Sequence, residues 1–583
     1  MKKLLLTISA VVLSATTYAQ VIAAGISPQS IVANYTHTWA DPGSGWGTPD
    51  FNIPGTFVQD TLKIVDDGST GTNAQGNPVS AEGCNPLIND LTGKIAVVFR
   101  NTCEFGVKAL NAQNAGAVGV IVVNRNPGEV IAMGAGAQGA NVTIPVVMLD
   151  LTDGLALIAE MANGPVVMFL GNKTGLFPND GGISGGATLL PRQAMIPSQL
   201  AQNGTEFNFD LGSRVYNYGN QAQTGMALNA KITNPSGATV YDNTASGISL
   251  PAGDSLDVIP GGASSLPNFS LASYPAGTYT LTYTLTLSTA DDYNADNVLT
   301  TTFTVTDSMF SYAQADPTTG SPTGGNYYRP GTNNQTYSAC QVIDNANASR
   351  LKATGIYFSA TTSAASGVLL TGEEMALYLY KWEDVFADLN DANLAFNTLT
   401  EVANGFYYFP DDLQGQTVYG AFTTPVALED NQRYLACVQT VNLNLYMGHE
   451  NATNLTWNEA YYLQPMAPNE SDGTWYAAGF GSDIPSSVAI GVADNDVSVT
   501  ELNSVAGKAF PNPANDVVTV AIEGEGVAQL TVTDVAGKVA MTSTLNLAAG
   551  QDNVNINALQ TGLYIFNVTL ENGKTAQFNV VKK

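Results

Sequence analysis

The sequence predicts a mostly β, multidomain chain with one small α/β unit near its N-terminus. Three observations predict it. The 583 residues exceed what a single hydrophobic core usually serves, and about 100 to 200 residues per domain gives roughly three to five domains, expected as beads on a string. Only 12% of residues are charged, while 57 are glycine, and Thr, Asn and Val abound, a balance that favours strands joined by short turns. Apolar residues recur at every second position over most of the chain, and only from Lys94 to about Leu170 do strands alternate with helices. Lys and Arg total 21 against 49 Asp and Glu, a net charge of −28. Such a surface repels phosphate backbones and anionic lipid headgroups, so nucleic acid is an unexpected partner.

Met1 to Gln20 reads as a removable export signal: Lys2 and Lys3, an apolar run from Leu4 to Leu13, then small residues around Ala15 to Ala19. The apolar run is too short for a permanent span, and no later stretch reaches the length of about 20 apolar residues that a transmembrane helix needs. The mature chain is expected to be soluble. Its four cysteines then meet an oxidising compartment where pairing is the default. Three pairings are formally possible; domain logic favours Cys84 with Cys103 and Cys340 with Cys437, each contributing roughly 3 to 5 kcal/mol in the loop-entropy model.

The next elements read as a strand (Ile95 to Phe99), a helix (Phe105 to Ala115), strands at Val118 to Val123 and Val142 to Leu149, a helix (Thr152 to Met161) and a strand (Val166 to Leu170). Gly116 and Gly119 suit a tight helix end and a closely packed strand, and Asp153 is a candidate cap for the second helix. The run from Lys108 to Asn124 (KALNAQNAGAVGVIVVN), the turn from Arg100 to Phe105 (RNTCEF), Ile144-Pro145 and Asp153-Gly154 together resemble the protease-associated (PA) domain family. Asn101 stands where that family usually has Gly. The resemblance covers roughly residues 30 to 175, and the domain with its N-terminal extension is assigned to residues 21–180.

Residues 191–307 hold alternating runs such as Ala227 to Ile232, Thr278 to Thr286 and Leu299 to Val305 between Pro and Gly turns. Period two at that spacing indicates a β-sandwich, similar to immunoglobulin-like spacer modules of exported bacterial proteins. Residues 308–493 contain Cys340, Cys437, many aromatics and strands such as Ala376 to Lys381 and Tyr434 to Val438. A second, jelly-roll-like sandwich is expected there, with a helical excursion between Glu383 and Leu399.

After a linker at 494–507 come Ala509 to Asp516 (AFPNPAND), Val532 to Lys538 (VTDVAGK), Leu559 to Tyr564 (LQTGLY) and the terminal Phe578 to Lys583. These resemble the C-terminal sorting domain of the type IX secretion system, here residues 508–583, with Pro511, Asn512, Pro513, Asp516, Gly537 and Gly562 as motif positions. Pro511 and Pro513 fix an extended backbone, Gly537 and Gly562 serve turns, and Val518, Val520 and Ile522 build one face of a sandwich. The resemblance implies a Bacteroidota-type exported protein, engagement of the type IX machinery, passage through the periplasm and a final place outside the cell or on its outer surface.

Chemistry-bearing motifs are scarce. Histidine, the usual general base and zinc ligand, occurs only as His37 and His449. His37 is expected at a surface or edge; His449-Glu450 lacks the second His of a zinc-peptidase helix, since position 453 is Thr. Gly253-Asp254-Ser255-Leu256 spells an esterase nucleophile block but sits mid-sandwich and reads as a turn. Gly134 to Gly139 matches GxGxxG literally, yet a Pro-containing strand follows where a phosphate-binding helix is required. The clusters Asp291, Asp292 and Asp296, Asp388 and Asp391, and Asp494 and Asp496 could hold calcium, which takes six to eight oxygens; no other cofactor is implied. Trp457, Tyr461 and Trp475, with Tyr462 and Tyr476, are candidate contacts for an extracellular protein, peptide or glycan. The expected function is therefore non-catalytic binding by an exported or surface protein, either freely released or retained on cells as an adhesin. The competing reading is a secreted peptidase or carboxylate-pair glycosidase, or its accessory chain, for which Glu373, Glu374, Glu383 and Asp384 are the first acids to inspect.

Overall fold

The computed structural model describes residues 21–583 except 128–129, 322–324, 331–335, 363–366, 451, 480, 482–483, 496–504 and 536. The export signal, Asp496 and most of the 494–507 linker lie outside the described residues. The chain is mostly β, with three α-helices among the described residues. It divides into two compact units, residues 1–494 and 495–583.

The first unit opens with a seven-stranded sheet in the order β1 (Val21–Ser27), β7 (Val167–Asn172), β3 (Phe57–Ile64), β4 (Ile95–Phe99), β5 (Gly119–Val123), β6 (Val146–Leu149) and β2 (His37–Trp39). Strands β3 to β6 run parallel, and every residue of β4, β5 and β6 is buried. Their unbroken Val and Ile runs have that cause: helix α1 (Phe105–Asn114) and helix α2 (Leu151–Met161) pack against opposite faces of these three strands and leave them no wet face. Gly116 takes φ +93°, and a Cβ there would meet the Thr92 side chain and backbone at about 3 Å, so the helix-to-strand turn requires glycine. The second helix is capped by Asp150, whose carboxylate accepts from the amides of Thr152 and Asp153. Asp153 stands in the first turn instead, because the helix begins one residue earlier than the pattern suggested. The strand expected from Val142 is shorter, since residues 139–141 form a 3-10 turn before Pro145.

A five-stranded sheet (Thr239–Leu250, Gln223–Thr233, Gly277–Thr286, Val298–Thr306, Met195–Pro197) lies with a three-stranded one (Ser255–Val258, Ser213–Asn217, Gly181–Thr188). The strand Gly181–Thr188 occupies the interval left between the PA domain and the first sandwich. Two six-stranded sheets follow between Met309 and Asp494. One hydrophobic cluster runs without a break from Ile183 to Val492 through both sandwiches. They are fused through their cores and are not separate beads. Residues 383–398 form turns, not a helix: Asp388 and Asp391 accept from the amides of Asn390, Ala387 and Asn393, the local bonding by which Asp competes with helix, and Asp384 accepts from Thr398 N at the far end of the segment.

The second unit is a sandwich of a three-stranded sheet (Gly507–Phe510, Val517–Ile522, Gln551–Asn555) and a four-stranded sheet (Val539–Leu547, Gly526–Asp534, Gly562–Leu570, Thr575–Lys582) with its own core of Val518, Val520, Leu530, Val532, Phe566 and Val568. Asn512 ties the Pro511–Pro513 segment to the last strand: its amide donates to Asn579 O at 2.8 Å and its oxygen accepts from Val581 N at 2.9 Å. Asp516 accepts from Ile556 N through its carbonyl, and Gly537 takes φ +79° in a turn. Gly562 opens the strand that pairs with the C-terminal one. Disulfides join Cys84 to Cys103 and Cys340 to Cys437.

Candidate functional site

The candidate site is the outer face of one six-stranded sheet, ordered Leu399–Tyr408, Glu374–Trp382, Tyr434–Thr440, Tyr337–Ile343, Asn469–Ser471 and Thr474–Tyr476. Alternation sends Met375, Leu377 and Leu379 into the core, and so turns Ala376, Tyr378 and Tyr380 outward. Directly opposed residues share a face. Phe406 opposes Ala376, Ala376 opposes Gln439, Gln439 opposes Ser338, Ser338 opposes Glu470 and Glu470 opposes Trp475. One row therefore crosses the whole sheet with an aromatic ring at each end. At about 4.8 Å per strand it spans roughly 24 Å. The adjoining rows add Tyr408 beside Glu374, and Asn404 and Tyr378 beside the buried Cys340–Cys437 disulfide.

The polar groups along the row are linked. Gln439 donates to Ser338 Oγ at 2.9 Å, and Ser338 donates to Glu470 Oε2 at 2.9 Å. At one end Phe406 and Tyr408 are 54% and 59% exposed, which is high for large rings on a paired strand. Burial pushes the Tyr378 phenol up, with Glu401 and Glu374 adding to the effect, so it stays a neutral donor. At the other end half-buried Trp475 stacks on Phe396 at 4.6 Å, Phe396 stacks on Trp382 at 4.3 Å, and the Arg433 guanidinium covers Phe386 and Trp382. The turns of 383–398 thus brace one aromatic wall. Ser338 and Glu470 are themselves buried, so what the face offers a ligand is ring faces, the half-buried Gln439 amide and the exposed carboxylates of Glu374 and Glu401 in the adjoining rows.

The other residues singled out from sequence are placed elsewhere. Trp457 and Tyr461 lie on helix α3 (Thr456–Tyr462), which faces the first sandwich: Tyr461 donates to Asp210 Oδ2 at 3.1 Å, and Asn458 exchanges two hydrogen bonds of 2.9 Å with the backbone of Leu190. His37 lies on edge strand β2. His449 is buried, bonded to the Tyr337 hydroxyl at 3.2 Å and the Met447 carbonyl at 3.1 Å, and burial holds it down at about 4. Glu450 accepts from the amides of Gln314, Ala452 and Thr453, shaping its loop. Glu373, Glu383 and Asp384 accept from Asn442, Thr400 and Thr398, and Glu374 is exposed. Gly253 and Asp254 form a turn ahead of the strand Ser255–Val258. The 134–139 loop is held by Glu104, which accepts from Ala137 N at 2.9 Å. Among the described residues no group of three or more His, Cys, Asp or Glu could hold a metal ion.

Sequence reasoning did not single out Phe406, Tyr408, Tyr378 or Gln439. The available signal was the alternation Leu377-Tyr378-Leu379-Tyr380, which buries the leucines and shows the tyrosines.

In the PA domain the turn from Arg100 to Phe105 closes on Glu82. This buried carboxylate accepts from Asn101 Nδ2 at 3.0 Å, Asn73 Nδ2 at 3.2 Å, Thr102 N at 3.2 Å and the Thr102 hydroxyl. Asn101 thereby gains a partner that glycine could not supply. Buried Lys108 reaches the Glu82 carbonyl at 2.9 Å, and burial lowers its ammonium to about 8.

Comparison with known proteins agrees with this architecture. Residues 55–157 match the PA domain family and residues 508–582 match the secretion system C-terminal sorting domain. The chain is thus a β-rich exported protein. In particular it carries a PA domain near its start and a type IX sorting domain at its end, and the latter marks it for the type IX machinery and for the cell surface or the medium. Over 75 residues it is 41% identical to the minor extracellular protease Vpr of Bacillus subtilis (13% of this chain, 9% of that one). Over 110 residues it is 36% identical to ER degradation-enhancing alpha-mannosidase-like protein 3 of Xenopus laevis (17% and 12%), and over 78 residues 35% identical to probable leucine aminopeptidase 2 of Aspergillus fumigatus (13% and 16%). The chain therefore spans under a fifth of the length of these relatives. An aminopeptidase from Aneurinibacillus sp. strain AM-1 aligns with 26% of this chain and 30% of its own at 19% identity, with a TM-score of 0.19. No helix among the described residues is long and apolar enough to cross a membrane.

Proposed function

We propose that this protein is a non-catalytic exported binding protein, reaching the exterior through the periplasm, that holds an extracellular peptide or glycan on its outer sheet face. The observation that carries the reading is the cross-strand row from Phe406 to Trp475, aromatic at both ends and hydrogen-bonding between them. Exposed rings on a rigid sheet give contact area without an ordering cost, and exposed apolar patches of this kind mark interaction sites. The net charge of −28, with exposed Glu374 and Glu401 on this face, favours a neutral or cationic ligand over an anionic one.

The test is a combined glycan and peptide array probed with the full chain. Binding is expected to weaken about five- to thirtyfold in W475A and in F406A/Y408A, the loss of roughly 1 to 2 kcal/mol that truncating an aromatic anchor brings. An array ligand bound equally well by wild type and both variants would place the site elsewhere. A second reading, a hydrolase or its accessory chain, draws on the protease and the aminopeptidase to which part of this chain is similar. Cleavage of a casein or polysaccharide panel by the purified chain, lost on substitution of an acid pair, would establish it.

A further inference from the structure

The PA domain meets the first sandwich at a closed cluster that the binding face does not use. Lys173, just after β7, and Asp180, just before the strand Gly181–Thr188, are both 0% exposed, and their Nζ and Oδ1 lie 2.5 Å apart. The same ammonium lies 3.0 Å from Oδ2 of buried Asp296. Two phenol rings sandwich it, with centroids at 4.6 Å for Tyr218 and 4.4 Å for Tyr293. Packing is tight: a Cβ on Gly182 would lie 2.4 Å from Asp296 Oδ2 and 2.7 Å from the Tyr218 ring.

Two carboxylates on one buried ammonium leave an unbalanced negative charge out of reach of bulk solvent, which is costly. Protonating one acid restores neutrality, and burial pushes Asp180 up to about 7 and Asp296 up to about 6. Among the described residues none donates a hydrogen bond to Asp180 Oδ2. The cluster is therefore a primary amine, a carboxylic acid with an idle oxygen and a second acid, held in contact and shielded from water. Contact of this kind converts a bimolecular condensation into a unimolecular one.

We infer that Lys173 and Asp180 join in an intramolecular amide bond, with Asp296 as the proton carrier. Starting from the ammonium, the Asp180 acid and the Asp296 carboxylate, Asp296 takes one proton from Lys173. The free amine adds to Asp180 Cγ, forming the C–N bond. Asp296 passes its proton to the departing Oδ2 hydroxyl and takes the surplus proton from nitrogen. One water leaves, Asp296 ends as the acid, and no charge, oxidant or further reactant is needed. The product removes two formal charges from the interior and pins the PA domain to the sandwich through a covalent clip.

The test is peptide mass spectrometry of the trypsin-digested full chain. Residues 126–192 contain one internal cleavage site, at Lys173, so an unmodified chain yields peptides 126–173 and 174–192. The clip abolishes that cleavage and gives a single 126–192 peptide lighter than its sequence mass by one water. D180N reaches the same product by releasing ammonia, whereas K173M gives 126–192 at its own full sequence mass. In D296A the two separate peptides are expected, and persistence of the fused one would overturn the role given to Asp296. Recovery of 126–173 and 174–192 at their sequence masses from the folded wild-type chain would overturn the bond itself.

Discussion

Single buried residues set much of the expected behaviour. Glu82 satisfies four donors and faces buried Lys108 at 4.0 Å, so Glu82→Ala strands a cation in the PA core. A loss of roughly 3 to 5 kcal/mol in denaturant unfolding of the PA domain is expected, and a loss under about 1 kcal/mol would show the hub to be dispensable. His449 gives a pH signature. Its folded value is about 4 against roughly 6.5 for an unfolded chain, so between these values the unfolded state binds the extra proton. Stability then falls on acidification from about pH 6.5 to about pH 4. H449Q should flatten that limb of a melting-temperature profile. These roles were not legible from sequence. Asn101 could be seen to depart from the family pattern, but its partner Glu82 is 19 positions away, and local patterning carries no information on such pairs.

At the scale of elements, period-two alternation exposed most strands, because one wet face forces it. The expected helical excursion at 383–399 failed because Asp388 and Asp391 bond their own local backbone, Asp384 reaches across to Thr398 N, and Phe386 and Phe396 are drawn onto Trp382. The aromatic row was only half legible: Trp475 is visible as an aromatic in sequence, yet its place opposite Glu470 depends on strand order, which pattern alone cannot give. Helix α3 was likewise visible as a cluster of aromatics, and its role emerges only from contact. Asn458 satisfies both backbone groups of buried Leu190. Asn458→Ala leaves that donor and acceptor unpaired at about 1 to 3 kcal/mol each, and should lower the melting temperature without altering ligand affinity on the sheet face. The Cys340–Cys437 disulfide closes a span of 97 residues. Replacing both cysteines by Ala is expected to cost roughly 4 to 5 kcal/mol in the loop-entropy model, read as a lower denaturation midpoint.

For the molecule as a whole, length alone suggested independent beads, since size predicts how many cores a chain can build but not whether neighbouring cores merge. Polar contacts join the sandwiches as well: Arg350 forks onto Glu206 at 2.9 and 3.1 Å, Ser311 and Met195 exchange backbone bonds at 2.9 and 3.0 Å, and Gln314 donates to Thr301 and Thr302. With one apolar cluster beneath, neither sandwich has a complete surface of its own. Leu281→Ala, a buried truncation in the first sandwich worth roughly 2 to 5 kcal/mol, is therefore expected to speed hydrogen exchange in the strand Tyr337–Ile343 of the second as much as in its own strand. Exchange that rises only within residues 181–307 would show two cores that open separately. The sorting unit encloses its own core between Ala514 and Val580, so residues 505–583 expressed alone should melt cooperatively, while fragments 181–307 and 308–494 expressed apart should not.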